Sequence, residues 1–450
     1  MNALTPTEIE TQVSDSPPMA TVDAHGWGRV HRGAMALARP EKRATMQRMA
    51  RDMPGPAIGA RRSYGDACLR IGGAGVDMTR LDRMLGLDRE SGLLTVEAGA
   101  RIGEIARLLA PLGWMPEVMP GTGQATIGGC VAMDVHGKNH HVAGAFGQTV
   151  ERIRFADGEE AVAGDPLMRA TIGGLGQTGA MLDVTLRLRP TPGGAMAVRE
   201  VRTAGWDDTL RMLEEAREPY SVAWIDCLAK GRALGRGVVE LATPTHGRAP
   251  ARKRRAVRFD APGWALSSPV VRAFNRLYWG RVPALGRDSV KPLDDFFFPL
   301  DKIANWNRLY SKRGFHQFQC VVPADASERL RAMLERIARA RAASPLAVLK
   351  RMGPAPDASR TGPMSFPMPG WTLAVDLPNR RGTPDLVDAL ERDAVEAGGR
   401  IYFAKDALCT PERAAVMYPE APEWTAVANA RDPERRLETD LTRRLKLRDL

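Results

Sequence analysis

The sequence predicts an α+β protein: an N-terminal part built on glycine-rich loops that embrace a ligand, and a later part with an antiparallel sheet backed by helices. Three observations carry this prediction. The 450 residues, 44% hydrophobic and 26% charged, suffice for two or three buried cores and match a soluble globular protein. Glycines cluster at 120–147 and 173–179, with a smaller glycine-flanked turn at 61–66, and no cluster sits between a long strand and a helix with GxGxxG spacing, which excludes a Rossmann dinucleotide fold. From about Val198, strand-like and helical segments alternate loosely, as in a sheet with helices on one side.

In chain order, residues 1–20 carry no basic start followed by an apolar run and read as a poorly ordered leader, not a secretory signal. No segment reaches the apolar length of a membrane span. Helix-like EKRATMQRMARDM then leads through a small strand into Arg61, Arg62, Ser63, Tyr64, Gly65 and Asp66, a turn whose amides and hydroxyls suit a diphosphate, or else a plain strand-to-turn junction. A strand over 93–98 and an amphipathic helix ending near Gly113 precede the stretch PGTGQATIGGCVAMDVHGKNHHVAGAFG. Its glycines bring backbone close to a ligand, its apolar run at 130–133 reads as a short buried helix between two loops, and His136, Lys138, His140 and His141 add titratable groups. For the adjacent His140 and His141 loop hydrogen bonding is favoured, and a zinc site lacks further ligands at suitable spacing.

A hairpin with Asp157 and Gly158 at its turn follows, then glycines feeding a strand over 181–188. Later come a helix over 207–217, strands near 221–229 and 315–323, a helix over 327–342, strand-like 346–353 and 370–378, and a helix start at Thr410, Pro411 and Glu412. The change of pattern near Val198 marks a boundary between the glycine-rich part and the later one.

Five scattered cysteines without a CxxC pair argue against a disulfide framework and for a reduced, cytoplasmic protein. The net charge of +11 draws polyanions in general. Arg248, Arg252, Lys253, Arg254, Arg255 and Arg258 precede an aromatic stretch with Trp264, Phe274, Tyr278 and Trp279, which suits either a membrane surface or a solvated loop before a core helix. A nucleic-acid partner rests on charge alone, and the glycine clusters have no role in one.

The segments RSYGD at 62–66, PGTGQATIGGCVAMDVHGKNHH at 120–141, GGLGQTG at 173–179, FPMPGWTLAVDLP at 366–378 and AKD at 404–406 resemble the FAD-dependent oxidases of the vanillyl-alcohol oxidase superfamily, and within it those that oxidise a polyprenylphosphoryl pentose. The resemblance implies, after a leader at 1–20, a two-subdomain FAD-binding domain of that superfamily's PCMH type at 21–195, a substrate cap at 196–395 and a segment at 396–450 that returns to the FAD domain. It implies FAD contacts from Arg62, Ser63, Tyr64, Gly65, Asp66, Gly121, Thr122, Thr126, Ile127, Gly128, Gly129, Cys130, His136, Gly137, Asn139, His140, Gly176, Gly179 and Tyr402. Covalent relatives attach flavin through a histidine where Arg62 stands, so FAD held without a bond is expected. Substrate contacts fall to Lys138, Trp224, Gln317, Gln319, Lys350, Thr372 and Lys405. In mycobacterial members a cysteine, an asparagine and a tyrosine stand at the positions of Ala374, Thr372 and Phe298.

The implied reaction is oxidation of the 2-hydroxyl of a polyprenylphosphoryl-β-D-ribose, with an NAD(P)H-dependent short-chain reductase as the expected partner and the inner face of the membrane as a place of work. Lys405 is the candidate base, with His136 or Tyr64 as alternatives, and a phosphate-pairing cation is the other reading of Lys405. A flavin oxidase of a free alditol, sugar acid or aldonolactone is the competing function.

Overall fold

A computed structural model describes residues 17–247, 255–342 and 345–450. The first sheet joins β1 (Ala20–His25), β2 (Arg32–Ala38), β3 (Ala57–Ile58) and β4 (Ala74–Asp77) in the order β1-β2-β4-β3. Its pairs mix directions: β1 and β2 form an antiparallel hairpin, whereas β4 runs parallel to both β2 and β3. The second holds β5 (Met84–Asp88), β6 (Leu93–Glu97), β7 (Trp114–Pro116), β8 (Val150–Phe155), β9 (Glu160–Val162) and β10 (Met181–Pro190), and all its pairs are antiparallel. The hairpin expected at Asp157 and Gly158 joins β8 to β9, with Gly158 at φ 96°.

The helix that ends near Gly113 spans Ile102–Leu109 and one 3-10 turn, and Gly113 closes it at φ 87°. The short buried helix is Ile127–Ala132, starting three residues earlier than the apolar run at 130–133 because Thr126 caps it, its Oγ1 accepting from the Gly129 amide at 3.3 Å. Gly128 lets this helix lie close to Ala98, the residue after β6: a Cβ there would stand 3.2 Å from that of Ala98.

Residues 195–401 supply β11 (Ala195–Thr203), β12 (Tyr220–Ile225), β13 (Gly237–Thr245), β14 (Arg255–Ala256), β15 (Arg287–Pro292), β16 (Ile303–Ala304), β17 (Phe315–Val322), β18 (Ala347–Met352), β19 (Gly370–Pro378) and β20 (Arg400–Ile401). Apart from the small β14-β16 pair they form one eight-stranded sheet, β15-β11-β13-β12-β18-β19-β17-β20, antiparallel throughout. The antiparallel sheet expected from the alternation after Val198 is therefore present, and it reaches past 395 to β20. Of the helices expected there, 207–217 is Trp206–Glu214 and 327–342 is Ser327–Arg339. The helix starting at Pro411 is capped by Thr410.

One face of this sheet packs under helices. Phe318, Leu349, Leu373 and Leu377 are buried with Leu213, Leu334 and Leu390 from the Trp206–Glu214, Ser327–Arg339 and Thr383–Glu396 helices. Each such leucine contributes about 2 kcal/mol of burial. Among the described residues no helix is long and apolar enough to cross a membrane. Most of the leader and, of the basic run, Arg248, Arg252, Lys253 and Arg254 lie outside the described residues.

Candidate active site

The other face of the large sheet is the floor of a cavity of about 950 Å³. Strand side chains alternate between faces, so every second residue of five neighbouring strands reaches it: Val238 and Glu240 of β13, Val222 and Trp224 of β12, Val348 and Lys350 of β18, Thr372 and Ala374 of β19, and Gln317 and Gln319 of β17. The opposite wall comes from the loops of the first two sheets, at 57–64, 119–138 and 175–179, and from 402–405. Asp301 ties the two halves together, accepting from Thr122 Oγ1 at 2.9 Å and from the Gly123 amide at 2.8 Å.

Lys405 Nζ sits over the ring of Tyr64, 3.8 Å from its centroid. Burial pushes its pKa down to about 7, against a smaller upward pull from Asp376. Asp376 is buried beneath it, held by Tyr310 Oη at 2.9 Å and by Gln317 Nε2, and burial raises its carboxyl to about 6. Lys350, also lowered to about 7 by burial and then by Lys138 and Lys405, donates to the Gly137 carbonyl at 3.4 Å. His136 Nε2 lies 2.9 Å from Gln319 Nε2, which also donates to Thr372 Oγ1 at 3.3 Å. Since the amide nitrogen is a donor, Nε2 is the acceptor and the imidazole is neutral, and burial holds its pKa well below the usual range. The Tyr64 phenol is pushed well above its ordinary value by burial and then by Asp376, so at neutral pH it is protonated. Tyr402 stacks on Phe366 with centroids 4.6 Å apart and donates to the Met133 carbonyl at 3.0 Å.

The cavity wall thus brings together Arg62, Ser63, Tyr64, Gly121, Thr122, Thr126, Gly128, Gly129, His136, Gly137, Lys138, Gly176, Gly179, Trp224, Gln317, Gln319, Lys350, Thr372, Tyr402 and Lys405. Six expected contacts lie behind it. Gly65 packs so closely on Asp406 that a Cβ would meet its carbonyl oxygen at 1.8 Å, and Asp66 is turned to Arg444, 2.8 Å away. Ile127 and Cys130 are core residues of the short helix. Asn139 donates to the Glu117 carbonyl at 2.8 Å, and the buried His140 ring stands 6.4 Å from that of His136. His141 faces the Glu218 carbonyl at 3.2 Å, a loop contact of the kind favoured for this pair. Lys138 is in the wall, but Nζ is taken up by Glu240 at 3.5 Å and by the ring of Phe296, 3.9 Å from its centroid.

Sequence reasoning missed Asp301, Tyr310 and Asp376. For Asp376 a signal existed: one acid inside the apolar strand run GWTLAVDLP, in register with Gln317.

This constellation is that of an FAD-dependent oxidoreductase. Residues 36–163 match the FAD binding domain family. The chain is 34% identical to decaprenylphosphoryl-β-D-ribose oxidase of Mycolicibacterium smegmatis over 96% of its own length and 98% of the relative's. It belongs to that oxidase family. It is also 34% identical to an uncharacterised Streptomyces coelicolor protein from the mprA 5′ region, over 76% of this chain and 99% of the other, and 29% identical to an uncharacterised Rhodococcoides fascians oxidoreductase of the fasciation locus, over 28% of this chain and 30% of the other.

The residues present fit FAD. Arg62 Nε is buried without a hydrogen-bond partner, while its guanidinium lies 4.3 Å from the Trp27 ring centroid, leaving a cation in the wall for a phosphate. Gly121 and Gly176 face open space, where a Cβ would meet nothing within 4 Å. Gly121→Val is expected to lower flavin content, costing about 2 kcal/mol of FAD affinity through overpacking, with an unchanged melting temperature of the apoprotein. The ratio of visible to ultraviolet absorbance of purified protein, with a melt of deflavinated samples, checks it.

Proposed function

We propose that this protein oxidises the 2-hydroxyl of a polyprenylphosphoryl-β-D-ribose to the keto sugar, leaving reduction with inverted configuration to a separate NAD(P)H-dependent short-chain reductase. The observation that carries this reading is the polarity gradient of the cavity. Its inner part holds Lys350, Gln317 and Gln319 from the floor and Lys405 and His136 from the opposite wall, whereas its mouth, where Val270, Phe274 and Leu309 reach solvent beside Leu266 and Tyr278, is apolar. A ligand with a polar head and an apolar tail matches both ends, and a free alditol leaves the mouth unsatisfied. The name of the Mycolicibacterium smegmatis relative points the same way.

FAD is held without a covalent bond, in a two-subdomain arrangement in which the first two sheets are the subdomains and the large sheet is the substrate cap. Bound FAD supplies the hydride acceptor. The protein's own part is to place the sugar and take the hydroxyl proton. Lys405 is the base, because a pKa of about 7 leaves much of the amine free at neutral pH, whereas the Tyr64 phenol holds its proton and the His136 imidazole is too weak a base. Lys350 and the Gln317–Gln319 pair hold sugar or phosphate oxygens, and Trp224, whose ring centroid is 4.6 Å from that of Tyr278, bounds the cavity where polar floor turns to apolar mouth. The enzyme works in the cytoplasm, at the inner face of the membrane.

Mixing the holoenzyme anaerobically with a short-chain prenylphosphoryl-ribose tests the reading. Bleaching of the visible flavin band is expected from that compound and not from free alditols; bleaching by alditols alone overturns it. Acid precipitation is expected to leave the yellow colour in the supernatant.

A further inference from the structure

Large apolar side chains are unusually exposed between 259 and 285. Phe259, Trp264, Leu277 and Leu285 are 82%, 70%, 75% and 91% exposed, whereas exposed apolar residues on most surfaces stand singly. The Ser268–Gly280 helix among them is firmly seated on its inner side. Asn275 Nδ2 donates to Asp226 Oδ1 at 2.6 Å, Trp279 Nε1 to the Thr203 carbonyl at 3.1 Å, and Arg281, just past the helix, pairs with Glu200 at 2.8 Å. With that side fixed, Val270, Phe274 and Leu277 fall at i, i+4 and i+7 along another.

This stripe is continuous with the cavity. Val270 and Phe274 are at once exposed to solvent and part of the cavity wall, and the Phe274 ring stacks on Tyr278 inside, with centroids 5.8 Å apart. Arg272 and Arg276 are exposed on the remaining, outer face of the same helix. Basic side chains next to an exposed aromatic and aliphatic stripe are what an interfacial helix presents to headgroups and acyl chains. The helix has 13 residues and lies across the mouth, suited to resting in a leaflet and too short to cross one.

We propose that the Ser268–Gly280 helix, with Trp264 before it and Leu285 after it, docks this protein on an anionic phospholipid leaflet so that the cavity mouth opens into the acyl chains. The inference rests on the lipid-linked substrate reading: a tail leaving past Val270 and Phe274 then passes directly into lipid. An anionic leaflet is chosen over a protein or a second copy because the apolar stripe runs into a ligand cavity, which a protein partner would plug, and because the same helix exposes arginines on its outer face in a chain of net charge +11.

The test uses the holoenzyme and sedimentable vesicles of phosphatidylcholine, with and without phosphatidylglycerol. Leu277→Asp combined with Leu285→Ser alters two exposed side chains outside the cavity wall. The wild type is expected to co-sediment with phosphatidylglycerol vesicles, less so at high salt, and the double variant to bind about tenfold more weakly. Flavin bleaching by the soluble short-chain substrate is expected at an unchanged rate in the variant, and turnover of a long-chain substrate embedded in vesicles to fall. Equal vesicle binding by both proteins overturns the proposal, as does a wild type that stays in the supernatant, or one that dimerises through this face and is made monomeric by the variant. If the short-chain compound fails to bleach the flavin while vesicle binding and its loss in the variant persist, the substrate reading falls and the docking surface stands.

Discussion

Lys405→Met is expected to keep its FAD and its melting temperature while flavin reduction by the prenylphosphoryl-ribose slows by about 10²- to 10⁴-fold, the range for loss of a positioned general base. Methionine keeps the length of the side chain over Tyr64 and removes the amine. Stopped-flow reduction under anaerobic conditions separates this step from reoxidation. In the wild type the free amine builds up as pH rises through about 7, so the reduction rate is expected to climb over that interval and level off above it. Asp376→Asn removes the nearby charge that pulls the Lys405 pKa up, so the climb is expected at lower pH. Lys405→Arg decides between the two roles open to this lysine. A guanidinium stays protonated and accepts no proton, so near-wild-type reduction in this variant would make Lys405 a phosphate partner and not a base.

Arg444→Ala is expected to cost about 3 kcal/mol of stability and to loosen FAD binding with it. Arg444 holds Asp66 through two bonds of 2.8 and 2.9 Å, Asp406 at 2.8 Å and the Cys409 carbonyl at 2.6 Å. The side chains of Asp66 and Asp406 are 3% and 0% exposed, so alanine leaves two carboxylates facing each other without a cation. Asp406 also accepts from the Leu408 and Cys409 amides at 2.8 Å each, so the turn after Lys405 depends on it. Chemical denaturation followed by tryptophan fluorescence, with released flavin read in parallel, checks both effects. Arg444→Lys, which keeps the charge and loses the fork, is expected to fall between the two. A wild-type midpoint for the alanine variant would mean that water or a shifted neighbour replaces the guanidinium.

These two positions also mark where sequence reasoning reaches its limit. The glycine-rich loops were legible because their requirement is local: close backbone approach and sharp turns show as glycine, whatever lies far off in the chain. The strand expected over 315–323 follows a local pattern too, and in the structure its alternation turns Gln317 and Gln319 to the cavity and Phe318 and Cys320 to the helices. Within a motif, though, sequence does not say which residue faces the ligand and which braces the loop. RSYGD and AKD both hold an aspartate, and both aspartates turn away from the cavity toward Arg444, an arginine with no distinguishing neighbours in an Arg-rich stretch. Likewise HGKNHH places His136 in the wall and His140 behind it, and Lys138 against Glu240, because that loop folds on β12 and the Phe296 carbonyl. Asp376 and Tyr310 meet 66 residues apart, beyond any pattern local to either.

The Arg444 junction has a bearing on how the chain folds. Asp66 and Arg444 are separated by 378 residues, and the turn that carries Arg62 and Tyr64 takes part of its bracing from this far end of the chain, through Arg444 and through the Tyr64 amide on the Ala404 carbonyl at 2.8 Å. Closing so long a loop is entropically slow and is rewarded only once the large sheet between them has formed. The nucleotide-binding half is therefore not expected to mature as an independent unit ahead of the cap; refolding should show one late, slow phase in which flavin quenching and burial of the final helices appear together.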